Sequence, residues 1–174
     1  MEVAARYLGA RPRTRWELER RLRRAGADDA VVDRTVDRLA TLGYVDDRAF
    51  VRWWAEQRDR HAPRGRRMVE AELRQHGVRP DVLEELRGSE LAEPALDGEA
   101  VPATEGERAS AALERHLRGR PLPSDQKARQ RIGAFLIRRG FDPETVRATL
   151  RTAAAESTPG GSTPDPDGFQ DEGP

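Results

Sequence analysis

Apolar positions along the 174-residue chain recur at intervals of three and four, and three times the run closes on one frame. A leucine is followed four residues later by glycine, then at once by an apolar residue, and by another five further on. The frames are Leu22, Gly26, Ala27 and Val32; Leu73, Gly77, Val78 and Leu83; and Leu136, Gly140, Phe141 and Val146. Glycine just past a helix takes positive φ without penalty, and the residue after it folds back onto the leucine. The frame therefore predicts Ala27 on Leu22, Val78 on Leu73 and Phe141 on Leu136. A new helix follows each turn. Asp142 is placed to cap it with Pro143 in the first turn, and Asp28-Asp29 and Arg79-Pro80 occupy the same slots.

The pattern between the frames fills in the rest. Val3, Tyr7 and Leu8 give a short segment over 2–10 with one apolar face. Thr14-Arg15-Trp16-Glu17 reads as a capping box, so a helix starts near 15. Val31, Val32, Thr35, Val36, Leu39 and Leu42 carry the next helix until Gly43 stops it. Asp46-Asp47 opens another, with Phe50, Val51, Trp53 and Trp54, which runs to His61 and breaks at Pro63-Arg64-Gly65. A helix with Ala112, Leu113 and Leu117 ends near Arg118, and Ser124-Asp125 opens the third frame, whose last helix ends near Ala155. The expected fold is all-α: an elongated array of three tandem three-helix repeats, 1–45, 46–87 and 106–155, with no strand. The period of roughly 50–60 residues is typical of repeat arrays. Residues 88–105, small and acidic with Pro and Gly, read as a flexible linker, and 156–174 as a disordered acidic tail.

Composition supports small shared cores over one thick core, since 36% of residues are hydrophobic and 36% charged. Cysteine is absent, which removes disulfides and thiolate chemistry and fits a reducing, cytoplasmic setting. No apolar run approaches membrane-spanning length, and the opening Met1-Glu2-Val3 stretch lacks the pattern of a signal peptide. The net charge of zero conceals an uneven distribution: +4 over 1–87, −5 over 88–106, +6 over 107–151 and −5 over 152–174. The helical blocks are basic, and the acid lies in the Pro/Gly-rich stretches.

Enzymatic readings fail in turn. His61, His76 and His116 lie in different units without ligand spacing and read as solvated surface residues; no metal or cofactor is expected. The single lysine, Lys127, has no phosphate-loop context, and none of the five serines lies in a Gly-x-Ser-x-Gly frame. Asp46-Asp47 is explained by capping. Phe50, Trp53 and Trp54 could stack bases, but Phe50 and Trp54 at i, i+4 fit a core, which leaves Trp53 as the exposed member. Three basic clusters remain: Arg11, Arg13 and Arg15 with the Arg20–Arg24 region; Arg64, Arg66 and Arg67; and Arg129, Arg131, Arg138 and Arg139. A planar guanidinium grips two oxygens of a phosphate or carboxylate. Any one of these arginines can also be a solvated, salt-bridged helix position, but recurrence at matching points of stacked units would present them as a stripe.

Several of these motifs also resemble a known family, the RecX regulators of the bacterial recombinase RecA. The resemblance rests on Tyr7-Leu8-x-x-Arg11-x-Arg13-Thr14-x-x-Glu17-Leu18 with Leu22, on Leu42-Gly43-Tyr44-Val45-Asp46-Asp47-x-x-Phe50, on Gly65-x-x-x-Val69-x-x-Glu72-Leu73-x-x-x-Gly77-Val78, and on Arg138-Arg139-Gly140-Phe141-Asp142. It covers about 1–155, and its motifs fall in the family's order. Met68 departs from it, standing where the family commonly has a basic residue. The resemblance implies a monomeric, non-enzymatic protein that lies in the groove of the RecA–DNA filament and contacts single- and double-stranded DNA without sequence preference. It also implies modulation, mainly inhibition, of strand exchange, ATP hydrolysis and coprotease activity, and so a place in recombination, DNA repair and the SOS response. Two other readings are a helix-turn-helix DNA-binding regulator and a helical scaffold for protein partners.

Overall fold

The computed structural model describes residues 2–88 and 104–157, and every regular element among them is an α-helix. The first unit is α1 (Glu2–Leu8), α2 (Arg15–Arg24) and α3 (Asp29–Thr41); the second is α4 (Asp47–His61), α5 (Arg66–Gln75) and α6 (Pro80–Gly88). The third is α7 (Glu105–Leu117), α8 (Gln126–Arg138) and α9 (Pro143–Glu156). Most of the stretches read as linker and tail, 89–103 and 158–174, lie outside the described residues. Glu105, which composition assigns to the acidic linker, is instead the first residue of α7.

The repeated frame forms the predicted turn each time. The N–H of Ala27 donates to Leu22 O (3.2 Å), that of Val78 to Leu73 O (3.1 Å) and that of Phe141 to Leu136 O (3.3 Å), with Gly26, Gly77 and Gly140 all at positive φ. A fourth such turn ends α3, where Tyr44 donates to Leu39 O (2.9 Å) behind Gly43. Thr14 and Glu17 form the reciprocal capping box, and Asp28 and Asp142 cap α3 and α9 as their positions predict.

Each unit closes its own core. Leu18, Leu22, Val32, Val36 and Leu39 lead the first, and Phe50, Val51, Leu73, Val78 and Leu83 the second. In the third, Leu136, Phe141 and Val146 form one cluster, with Leu113, Leu122 and Ile132 beside it. Phe50 is fully buried, while Trp53 and Trp54 are both half-buried against the second core. Trp53 is therefore not the freely exposed ring that its spacing suggests. Burying one such large apolar side chain contributes about 1.5–3 kcal/mol.

Two junctions join the units, and they share a plan. The start of a middle helix meets the end of the next middle helix, while a carboxylate from the following unit caps it. Between units one and two, Thr14 Oγ1 donates to His76 O (2.6 Å) and Arg15 N donates to Asp47 Oδ1 (2.8 Å). Between units two and three, Gly65 N donates to Arg139 O (2.9 Å) and Arg66 N to Glu105 Oε1 and Oε2 (3.0 and 3.2 Å). His76 and Arg139 are the C-cap residues of α5 and α8, so the same face of the repeat is used twice.

The fillings differ. At the first junction, Gly77 lies against the Trp16 side chain, which a Cβ would meet at 2.4 Å. At the second, backbone meets backbone: a Cβ on Gly65 would stand 2.2 Å from the carbonyl of Gly140. No side chain fits at Gly65, α5 therefore has no side-chain cap of its own, and Glu105 does that job from the next unit. The second junction also buries an ion pair, Arg108 Nε to Asp59 at 3.0 Å.

Candidate functional site

The ten arginines singled out by clustering divide into three sets. Four are tied to partners within their own unit. Arg11 donates to Pro12 O (3.0 Å) and Glu17 (2.9 Å). Arg13 lies over the Tyr7 ring at 4.1 Å, with its side chain only 16% exposed. Arg15 bridges Glu19 (3.0 Å) and Asp37 (2.6 Å), and its hydrogen bond to Asp37 raises its pKa. Arg129 donates to Pro123 O at 2.6 Å.

Arg66, Arg67, Arg131 and Arg138 form the second set, exposed and without an ion-pair partner among the described residues. Counted from the caps at Thr14, Gly65 and Asp125, the second helical position is Trp16, Arg67 and Lys127, and the sixth is Arg20, Ala71 and Arg131. Trp16 is 39% exposed and carries the Arg20 guanidinium over its ring at 5.0 Å. Each of these two matched positions thus carries an exposed cation on two of the three middle helices, Arg67 and Lys127 at the second and Arg20 and Arg131 at the sixth.

Arg64 and Arg139 make the third set, and the second junction brings them together although 75 positions separate them in sequence. Arg64 pairs with Glu72. Glu72 is buried and also accepts from Arg58 Nε (2.7 Å) and Trp54 Nε1 (2.9 Å). Arg139 donates to Pro63 O (3.2 Å) and lies over the Phe135 ring at 4.8 Å, while Arg58 covers Trp54 at 4.3 Å. Burial, then the like charges of Arg58 and Arg139, lower the pKa of Arg64; burial also lowers that of Arg58. Glu72 stands in the sequence only as a member of the family motif and Arg58 is not singled out, although Trp54 and Arg58 stand at the i, i+4 spacing of a cation–π pair on one helix.

Several acidic groups have structural roles across the junctions. Asp46 caps α4, accepting from Arg48 N (2.8 Å) and Ala49 N (3.2 Å), whereas its neighbour Asp47 caps α2 in the preceding unit. Desolvation raises the pKa values of Asp47, Asp59 and Glu105, opposed by their arginine partners. Histidine placement corrects the surface reading once: His76 is half-buried against Glu17 (2.9 Å) and edge-on to Trp54, whereas His116 is exposed as read, stacked on Phe135 at 4.1 Å. Among the described residues no three metal-binding side chains converge, and no helix is long and apolar enough to cross a membrane.

Known proteins match this chain along its repeats. Family models described as the first, second and third three-helix domains of RecX match residues 1–39, 46–86 and 104–150. A regulatory protein RecX from Mycobacterium sp. (strain KMS) is 39% identical over 140 residues, covering 78% of this chain and 71% of the relative. One from Chlorobaculum tepidum is 33% identical over 158 residues, covering 91% and 90%. The crystal structure of RecX from Lactobacillus salivarius superposes with a TM-score of 0.70 over 88% of this chain and 94% of that one; at 16% identity it supports the fold alone.

Proposed function

The chain belongs to the RecX family, and from that premise we propose that it is a non-enzymatic cytoplasmic regulator of RecA, mainly an inhibitor. It acts as a monomer whose basic face docks in the groove of the RecA–DNA filament, touching single- or double-stranded DNA non-specifically, and so modulates recombinase, ATPase and coprotease activities. The observation that carries this reading is the set of exposed cations on the middle helices, Arg66, Arg67, Lys127 and Arg131, whose side chains form no ion pair within 4 Å among the described residues. A filament with an acidic or phosphate-lined groove is the natural complement of such a surface. For the helix-turn-helix alternative, Thr14 and Gly65 are buried in the junctions, so the starts of α2 and α5 are closed to a DNA groove.

The test is the DNA-dependent ATPase rate of the cognate RecA with increasing amounts of this protein. Inhibition at substoichiometric amounts is expected, and the double reversal Arg66→Glu, Arg67→Glu is expected to weaken it about tenfold. An unchanged ATPase rate, together with tight binding to one duplex sequence, would transfer the reading to helix-turn-helix recognition.

A further inference from the structure

The charge around Glu72 does not balance. Arg58 and Arg64 both engage this one carboxylate, and Arg58 and Arg139 are near enough to act on Arg64. Neighbouring charges are already matched, Arg108 with Asp59 and Arg60 with Glu56. Among the described residues, three guanidinium groups therefore gather around one carboxylate, two of them bonded to it, an excess of two positive charges in a half-buried place. The side chains are not loose: Glu72 fixes Arg58 and Arg64, while Pro63 O and the Phe135 ring fix Arg139.

We infer that Arg64 and Arg139, backed by Arg58, form an oxyanion site for a backbone phosphate of nucleic acid. Planar guanidinium groups offer paired donors that match phosphate oxygens, and held in advance they lose little freedom on binding. The rings beside the site carry guanidinium groups already, Arg58 on Trp54 and Arg139 on Phe135, so those faces are not free for bases. The site reads charge and not sequence. Arg64 comes from the second unit and Arg139 from the third, so one bound phosphate bridges the junction and holds the two units together. The proposed function enters only in the choice of nucleic acid as the source of phosphate; the charge imbalance stands without it.

Fluorescence anisotropy of a short labelled oligo-dT with the full chain tests the site. Arg64→Gln and Arg139→Gln remove charge and keep hydrogen-bonding capacity. Each is expected to weaken binding about tenfold and to flatten the salt dependence by about 0.7 in log–log slope, the share of one single-strand phosphate contact. Arg6→Gln, on α1, should change neither. Pyrophosphate should compete, and an oligonucleotide with uncharged methylphosphonate linkages should fail to bind. Unchanged affinity and slope in both Gln variants would overturn the site, as would tight methylphosphonate binding, or pyrophosphate binding without any oligo-dT binding. The two readings fail separately. Lost RecA inhibition in Arg64→Gln with oligo-dT binding intact sinks the phosphate site alone, and a wild-type chain that loses DNA on substitution but never slows RecA sinks the filament reading alone.

Discussion

The two junctions use one geometric plan and solve it with different chemistry. At the first, an indole fills the space over Gly77 and a threonine hydroxyl reaches the C-cap carbonyl. At the second, Gly65 and Gly140 bring backbone onto backbone, and an ion pair is buried alongside. The first keeps a side-chain cap of its own, the Thr14–Glu17 box, to which Asp47 adds one bond from the next unit. The second gives up its own cap to gain close approach and borrows Glu105. A junction built from side chains can adjust to substitution, whereas one built from backbone has little room to yield.

Substitutions can break this contrast. Arg108→Ala should have the largest effect, costing about 3–5 kcal/mol because it strands a buried carboxylate. Hydrogen exchange should locate the loss in units two and three and leave α2 and α3 protected; uniform loss would mean that the units do not stabilise separately. Gly65→Ala should cost about 3 kcal/mol, since its Cβ has nowhere to go. Gly26→Ala carries only the positive-φ penalty of about 1 kcal/mol, because a Cβ there meets nothing within 4 Å. Chemical denaturation of both variants measures the gap, and equal losses would show that close approach is relieved at Gly65, whose φ of −67° adds no penalty of its own. Glu105→Ala should follow at about 1–2 kcal/mol, with Asp47→Ala near half that, since α2 retains its capping box.

The smallest effect concerns acid. Hydrogen bonds from Thr145 lower the pKa of Asp142 below its ordinary value of 3.8, so its contribution is present above that value and lost as pH falls through the folded-state pKa. Asp142→Asn should flatten the acid limb of a Tm-against-pH curve. The junction carboxylates Asp47, Asp59 and Glu105 act in the opposite sense. Their raised pKa values mean that the folded state binds more protons, so their contribution is fullest below the ordinary pKa and declines as pH rises through the raised one. Acid lability should therefore trace to the α9 cap and not to the junctions.

What could be read from the sequence was local. The leucine–glycine frames, the Thr14 box and the Asp142 cap are fixed by residues within ten positions of one another, and each forms as read. Asp47 looks like an ordinary helix start and Glu105 like the end of the acidic linker, because nothing in their local spacing says that they serve the preceding unit. Gly65 reads as a loop breaker, and only the position of Gly140 reveals why it must lack a side chain. The arginine clusters were visible as composition, but pairing with Glu17, Asp37 or Glu72 depends on residues brought close by folding. Arg58 escaped notice because its importance comes from Arg64 and Arg139, which approach it only when two units meet.

The borrowed caps give the array a direction in time. A ribosome releases the first unit before the second, and each core can close on its own residues as it emerges. The N–H groups of Arg15 and Arg66, however, wait for carboxylates that are made later. Each unit is thus completed by its successor, and a chain interrupted before Glu105 would leave α5 with an uncapped start. Such a fragment keeps its leucines and glycines but lacks the last partner of its middle helix, which makes the start of α5 a place to fray.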